Sequence, residues 1–143
     1  MISVQHRVAI RRPLYEVFAF VAEKENDPRW RPSVVEISRL SGDGTAGTTY
    51  HQVLKGPGGR PAPADFEITG YEPGKRLAFR ATAGPVRPEG SFDFVEEGGV
   101  THVTFTLEVA LDGTKKLMTP VVSKAMRNEV QSLERLKQIL EAG

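Results

Sequence analysis

The strongest constraint on this chain is a repeated interruption. Between Val34 and Leu111, runs rich in β-branched and aromatic residues are broken at Gly42-Asp43-Gly44, Gly56-Pro57-Gly58-Gly59, Pro73-Gly74, Gly84-Pro85 and Gly98-Gly99. Glycine reaches backbone angles that tight turns require, and proline cannot donate to a strand ladder, so each break separates two strands. Six strands are expected here, at about Val34–Arg39, Thr48–Leu54, Asp65–Tyr71, Arg76–Thr82, Gly90–Glu96 and Thr101–Leu111. Phe66 and Ile68, Leu77, Phe79 and Ala81, Phe92 and Phe94, and Val103, Phe105, Leu107 and Val109 alternate with Glu67, Arg80, Asp93, His102, Thr104, Thr106 and Glu108. That period of two describes an antiparallel meander with one face buried and one in water.

The flanks complete the pattern. Ser3 to Ile10 alternates as a strand, with Val4, His6, Val8 and Ile10 on one side. Pro13 suits the first turn of a short helix carrying Leu14, Val17, Phe18 and Val21, and Asp27-Pro28 opens a second that Pro32 ends. From about Lys115 to Glu141 the periodicity is helical, with Met118, Val122, Ala125, Met126, Leu133, Leu136 and Leu140 in one stripe. Pro120 either opens this helix behind Thr119 or kinks a helix begun near Lys115, and the kink is the favoured reading. The expected fold is α+β, a seven-stranded curved antiparallel sheet around a long C-terminal helix, with two short helices between strands one and two. A sheet that curls around one helix leaves space between them, to be filled by aromatic side chains or by a ligand.

Several functions are disfavoured by what the chain holds. Nineteen Lys and Arg nearly cancel eighteen Asp and Glu, so no strong field attracts nucleic acid or an anionic membrane from a distance. Without cysteine there is no disulfide and no thiolate nucleophile, and His6, His51 and His102 lack metal-ligand spacing, so neither metal nor cofactor is expected. No signal peptide and no membrane span are read from the sequence, and a cytoplasmic location is expected. With 143 residues and no break in composition, a single domain is expected over 1–143.

The stretch Ile10-Arg-Arg-Pro13-Leu-Tyr-Glu-Val17-Phe18-Ala-Phe-Val21, then Pro28-Arg-Trp30-Arg-Pro32, resembles the opening of the START-like (SRPBCC) superfamily, in particular its polyketide cyclase/dehydrase branch. Gly47-Thr48, Gly99-Val-Thr101-His-Val103 and Leu133-x-x-Leu136-Lys137-x-x-Leu140-Glu141 are similar too. The resemblance implies the helix-grip fold and a pocket between sheet and helix, without one shared catalytic constellation.

Glu129 is the most informative residue, because its angle falls inside the apolar helix stripe, where a carboxylate needs a partner or water. It orients a ligand or moves a proton, or it reaches a buried Arg or Tyr, or it lies where the stripe meets solvent at an open pocket. His51 is the other acid–base candidate, provided that it and not Tyr50 and Gln52 faces inward. His6, on the apolar face of strand one, reads as a core histidine. Trp30, Tyr50, Gln52, Phe66, Phe79, Phe92, Phe94, Phe105, Met118, Val122, Met126 and Glu129 form the expected ligand-binding set. The expected function is binding of a small hydrophobic or amphipathic molecule, such as a lipid, isoprenoid or aromatic metabolite. A polyketide cyclase/dehydratase using the same pocket and a partner-binding module with a vestigial pocket are the alternatives, and the chain is expected as a monomer or homodimer.

Overall fold

The computed structural model describes residues 1–143, all but Pro57 with their side chains. Eight strands form one curved antiparallel sheet: β1 (Ile2–Ile10), β2 (Val34–Ser41), β3 (Thr49–Lys55), β4 (Pro61–Pro63), β5 (Phe66–Glu72), β6 (Arg76–Ala81), β7 (Glu89–Glu97) and β8 (Val100–Val109). Their spatial order is β1-β8-β7-β6-β5-β3-β2, and β4 pairs with β3. The helices are α1 (Leu14–Ala22), α2 (Asp27–Trp30), α3 (Thr119–Gln131) and α4 (Leu133–Ala142).

The sheet thus holds eight strands and not the seven expected. The extra one, β4, contains two prolines and reads as loop in the sequence. It is tolerated because it lies along β3 only, with Lys55 opposite Pro61 and Val53 opposite Pro63, where the missing donors break no second ladder. Elsewhere the turn chemistry acts as expected. Gly98 and Gly99 both have positive φ, 58° and 81°, and close the hairpin that pairs Glu97 with Val100.

The end of the chain corrects a second expectation. Pro120 does not kink the helix; it sits in the first turn of α3, behind a 3-10 segment over Gly113–Met118. A first-turn N–H has no partner within its helix, so proline costs nothing there. The interruption falls instead at Ser132, whose hydroxyl donates to the Asn128 carbonyl at 3.3 Å, a back-bond that bends helices and here separates α3 from α4.

The concave face carries the core. Ile10, Val17, Val21, Trp30, Leu77, Phe92, Phe105, Leu133 and Leu136 are all buried there. One glycine is required by packing: a Cβ on Gly90 would lie 2.8 Å from Cε1 of Phe79, whose ring crosses that position. At one end α1 sets Phe18 against Phe94, 5.0 Å between ring centres, and its first N–H, on Leu14, donates to Glu96 of β7 at 3.0 Å. At the other side α4 is latched to β1. Lys137 donates to the Ala9 carbonyl and to Glu141, and Glu141 accepts the Arg11 N–H at 2.9 Å.

Candidate functional site

The short segment between α1 and β2 places Lys24, Asp27, Trp30 and Arg31 at three- and four-residue steps, so all four point the same way. That way is inward: all four are buried. Arg31 is the hub. Its Nη1 donates to Asp27 Oδ2 at 2.8 Å and to Gln52 Oε1 at 3.0 Å, and its Nε donates to Glu129 Oε1 on α3 at 2.7 Å. Ser33 donates from its hydroxyl to the other Glu129 oxygen at 2.5 Å, and Gln52 donates from its own amide to the Ala64 carbonyl at 3.2 Å.

Two cations and two carboxylates therefore share a nearly dry space, and the charges balance. Burial works against the Arg31 cation, but Glu129 and then Asp27 outweigh it and hold the guanidinium firmly protonated. Lys24 is served less well. Its Nζ lies 3.5 Å from Asp27 Oδ2, which Arg31 already occupies, and 4.7 Å from the centre of the Phe92 ring. Burial pushes its amine below the ordinary lysine value, and Asp27 restores only part of that.

Around this cluster the concavity is lined with rings. Trp30 meets Phe92 and Phe105 edge-on, at 6.0 and 6.3 Å, and Phe92 stacks on Phe105 at 4.2 Å. Phe79 lies 6.0 Å from Phe92 and links it to Phe66, which stacks on Tyr50 at 4.9 Å. Three buried polar atoms have no hydrogen-bond partner among the described residues: Asp27 Oδ1, Trp30 Nε1 and Tyr50 OH. Such atoms are uncommon in native interiors, and each costs on the order of 1–3 kcal/mol if left unpaired.

The structure settles the facing of strand β3. Tyr50 and Gln52 point into the concavity and His51 points out, where its ring nitrogens meet Asp65 Oδ1 and Glu36 Oε1, each at 3.0 Å. Its pKa is raised, first by the Glu36 contact, on a half-exposed surface away from the buried cluster. Glu129 is the carboxylate that reaches a buried Arg, and His6 pairs with Glu134 Oε2 of α4 at 2.6 Å and not with backbone. Trp30, Tyr50, Gln52, Phe66, Phe79, Phe92, Phe105 and Glu129 are brought together. Phe94 stands apart beneath α1, while Val122 and Met126 form the underside of α3 and Met118 its approach. Lys24, Asp27, Arg31 and Ser33 escaped the sequence reading. Charges at such spacing look like a solvated helix face, and only Glu129, lying in an apolar stripe, pointed to a buried partner, with Arg one of the choices.

The far end of the concavity is more open. Phe79, Val86, Leu111 and Met118 are only partly buried, and two of them, Val86 and Leu111, also line a surface depression of about 340 Å³ with residues 84, 85 and 87, Ala110 and Lys115.

A curved antiparallel sheet closed over by the C-terminal helices defines the helix-grip class, and this chain holds a polar cluster between the two layers. The chain belongs to the polyketide cyclase/dehydrase and lipid transport family, whose model matches residues 1–141. Among solved structures, a protein from Thermus thermophilus superposes with a TM-score of 0.83 at 23% identity, covering 99% of this chain and 98% of that one. A START superfamily protein from Mycobacterium smegmatis gives 0.75 at 16% identity, covering 96% and 98%. The Zhui aromatase/cyclase from Streptomyces sp. R1128 gives 0.72 at 13%, covering 99% and 98%. At these identities the likeness is one of fold. No curated protein matches this sequence.

Proposed function

We propose that this protein binds a small amphipathic molecule, such as a lipid, isoprenoid or aromatic metabolite, beneath α3. Its apolar body lies at the end framed by Phe79, Val86, Leu111 and Met118, and its single polar group points toward Lys24, Asp27 and Trp30. The observation that carries this reading is a pair of orphaned buried atoms, Asp27 Oδ1 and Trp30 Nε1, where the charged cluster meets the aromatic rings. Admission needs side chains that repack at little cost. Met118 and Met126, unbranched and polarisable, meet that need.

The test is native mass spectrometry of the purified protein, followed by thermal melts against a panel of apolar and amphipathic compounds. A retained small molecule or a Tm that rises with ligand concentration is expected. A protein that carries nothing and melts at one temperature across the panel defeats the reading.

A cyclase/dehydratase reading is favoured by one observation, the buried Lys24 Nζ 3.5 Å from Asp27 Oδ2, an amine whose pKa burial lowers. Such an amine gives up its proton at a lower pH than an exposed lysine, and the neutral form is the one that removes a proton α to a carbonyl. Deuterium exchange into a β-diketone that is lost in Lys24→Met and retained in His51→Ala would support it; equal exchange in both variants would end it.

A further inference from the structure

The approach to α3 has an unusual surface. None of the residues of the 3-10 segment Gly113–Met118 is buried, and Leu117 is 85% exposed. Val121, one helical turn further on, is 53% exposed. Neither side chain packs on the core, which α3 meets through Val122, Met126 and Val130. Two large aliphatic side chains are thus left in water four residues apart, at the start of the helix that closes the core.

Charge identifies what that cover is. The chain as a whole is balanced, 19 basic against 18 acidic residues, but residues 113–128 contain Lys115, Lys116, Lys124 and Arg127 and no Asp or Glu. The next carboxylate, Glu129, is turned inward to Arg31. Lys124 lies three residues from Val121 and so beside it on the helix, while Lys115 and Lys116 immediately precede Leu117. Lys115 also donates to the Pro85 carbonyl at 2.8 Å, which joins the 84–87 loop and Arg87 to the same surface. An apolar tip ringed by lysines is the arrangement that interfacial membrane segments use, with aliphatic groups in the acyl boundary and cations among the headgroups.

We propose that residues 115–124 form a membrane-contacting surface that seats on anionic lipid, with Leu117 and Val121 inserted and Lys115, Lys116 and Lys124 among the headgroups. Nucleic acid would satisfy the lysines but leave Leu117 without a role. A second copy of the chain would bring like charges face to face. With a net charge of +1 the protein is not drawn from afar; attraction acts within about one Debye length, roughly 8–10 Å, once the patch is close. The surface stands on exposure and charge alone and does not depend on an interior ligand.

The experiment is co-sedimentation of the full chain with phosphatidylcholine vesicles, with and without phosphatidylglycerol. Binding is expected to the anionic vesicles, to weaken with added salt, and to fall roughly fivefold in Lys116→Gln, since one basic residue near such a surface contributes about that factor. Leu117→Glu and Val121→Glu should abolish binding while leaving Tm unchanged, because both side chains are exposed. In Leu117→Trp the new indole should shift its emission to the blue on anionic vesicles. Equal partition to both vesicle types, indifference to Leu117→Glu, or light scattering showing a dimer that Leu117→Glu splits would each overturn the proposal. Ligand-dependent melting of Leu117→Glu keeps this result separate from that for the interior site.

Discussion

Arg31 and Glu129 are 98 residues apart in the chain and joined at 2.7 Å, Nε to Oε1, so that the turn after α2 and the last turn of α3 are held as one unit. The pair is nearly dry, with side-chain exposures of 10% and 14%. Removing one member of such a pair leaves the other charge without full compensation. Glu129→Gln is therefore expected to cost about 3–5 kcal/mol in urea unfolding, the range for breaking one partner of a buried pair. A loss below about 0.5 kcal/mol, the scale of an exposed pair, would mean that the bridge does not hold α3 down.

Lys24 gives a prediction with a definite sign. Its folded-state pKa lies below the unfolded value because burial disfavours the charged amine. Between those two values the unfolded chain binds more protons, so this group's contribution to stability rises with pH. Relative to Lys24→Met, the wild-type protein should gain stability as the pH is raised toward the ordinary lysine value of 10.5 and gain no more above it. Urea unfolding of both proteins along that range checks it, and a constant difference would show that the amine is solvated.

Glu141 behaves in the opposite sense. The Arg11 N–H, first, and Lys137 hold its carboxyl down at about 2, against 4.5 for an unperturbed glutamate. A depressed acid contributes stability above its unfolded pKa and loses it as pH falls toward the folded one. The advantage of wild type over Glu141→Gln should be complete at neutral pH and disappear as the pH falls from 4.5 to about 2. Thermal melts across that window would show the two curves converging; parallel curves would contradict the latch between α4 and the end of β1.

Gly90 tests the aromatic floor. An added Cβ meets Phe79 Cε1 and Leu107 Cδ2, each at 2.8 Å, so Gly90→Ala must displace a ring that lies across the sheet. Overpacking of this kind costs about 1–3 kcal/mol. A Tm within error of wild type would show that Phe79 is free to move aside. The same variant should also change the Tm response to any ligand that lies against that ring.

Much of the fold was legible because local chemistry writes it. Period-two alternation marked β1 and the meander, paired glycines marked the β7–β8 turn, and the family's opening around Pro13 and Trp30 named the architecture. Where the reading failed, local rules had two outcomes. Proline ends or kinks a helix in its interior yet opens one at its first turn, and position in space decided for Pro120. Prolines argue against a strand, and only the free edge beside β3 let Pro61 and Pro63 join one.

The candidate site was less legible. Gln52 and His51 are adjacent, and a one-residue difference in facing sends one to Arg31 and the other to Glu36. By itself, then, the sequence determined the elements, their order and the apolar face of most strands, because hydrophobic period and turn propensity act over a few residues. Which charges lie inside was decided only by tertiary structure. Lys24, Asp27 and Arg31 read as ordinary surface residues until the segment that carries them packs against Phe92 of the sheet, α4 and Glu129 of α3, and their burial comes from those long-range contacts.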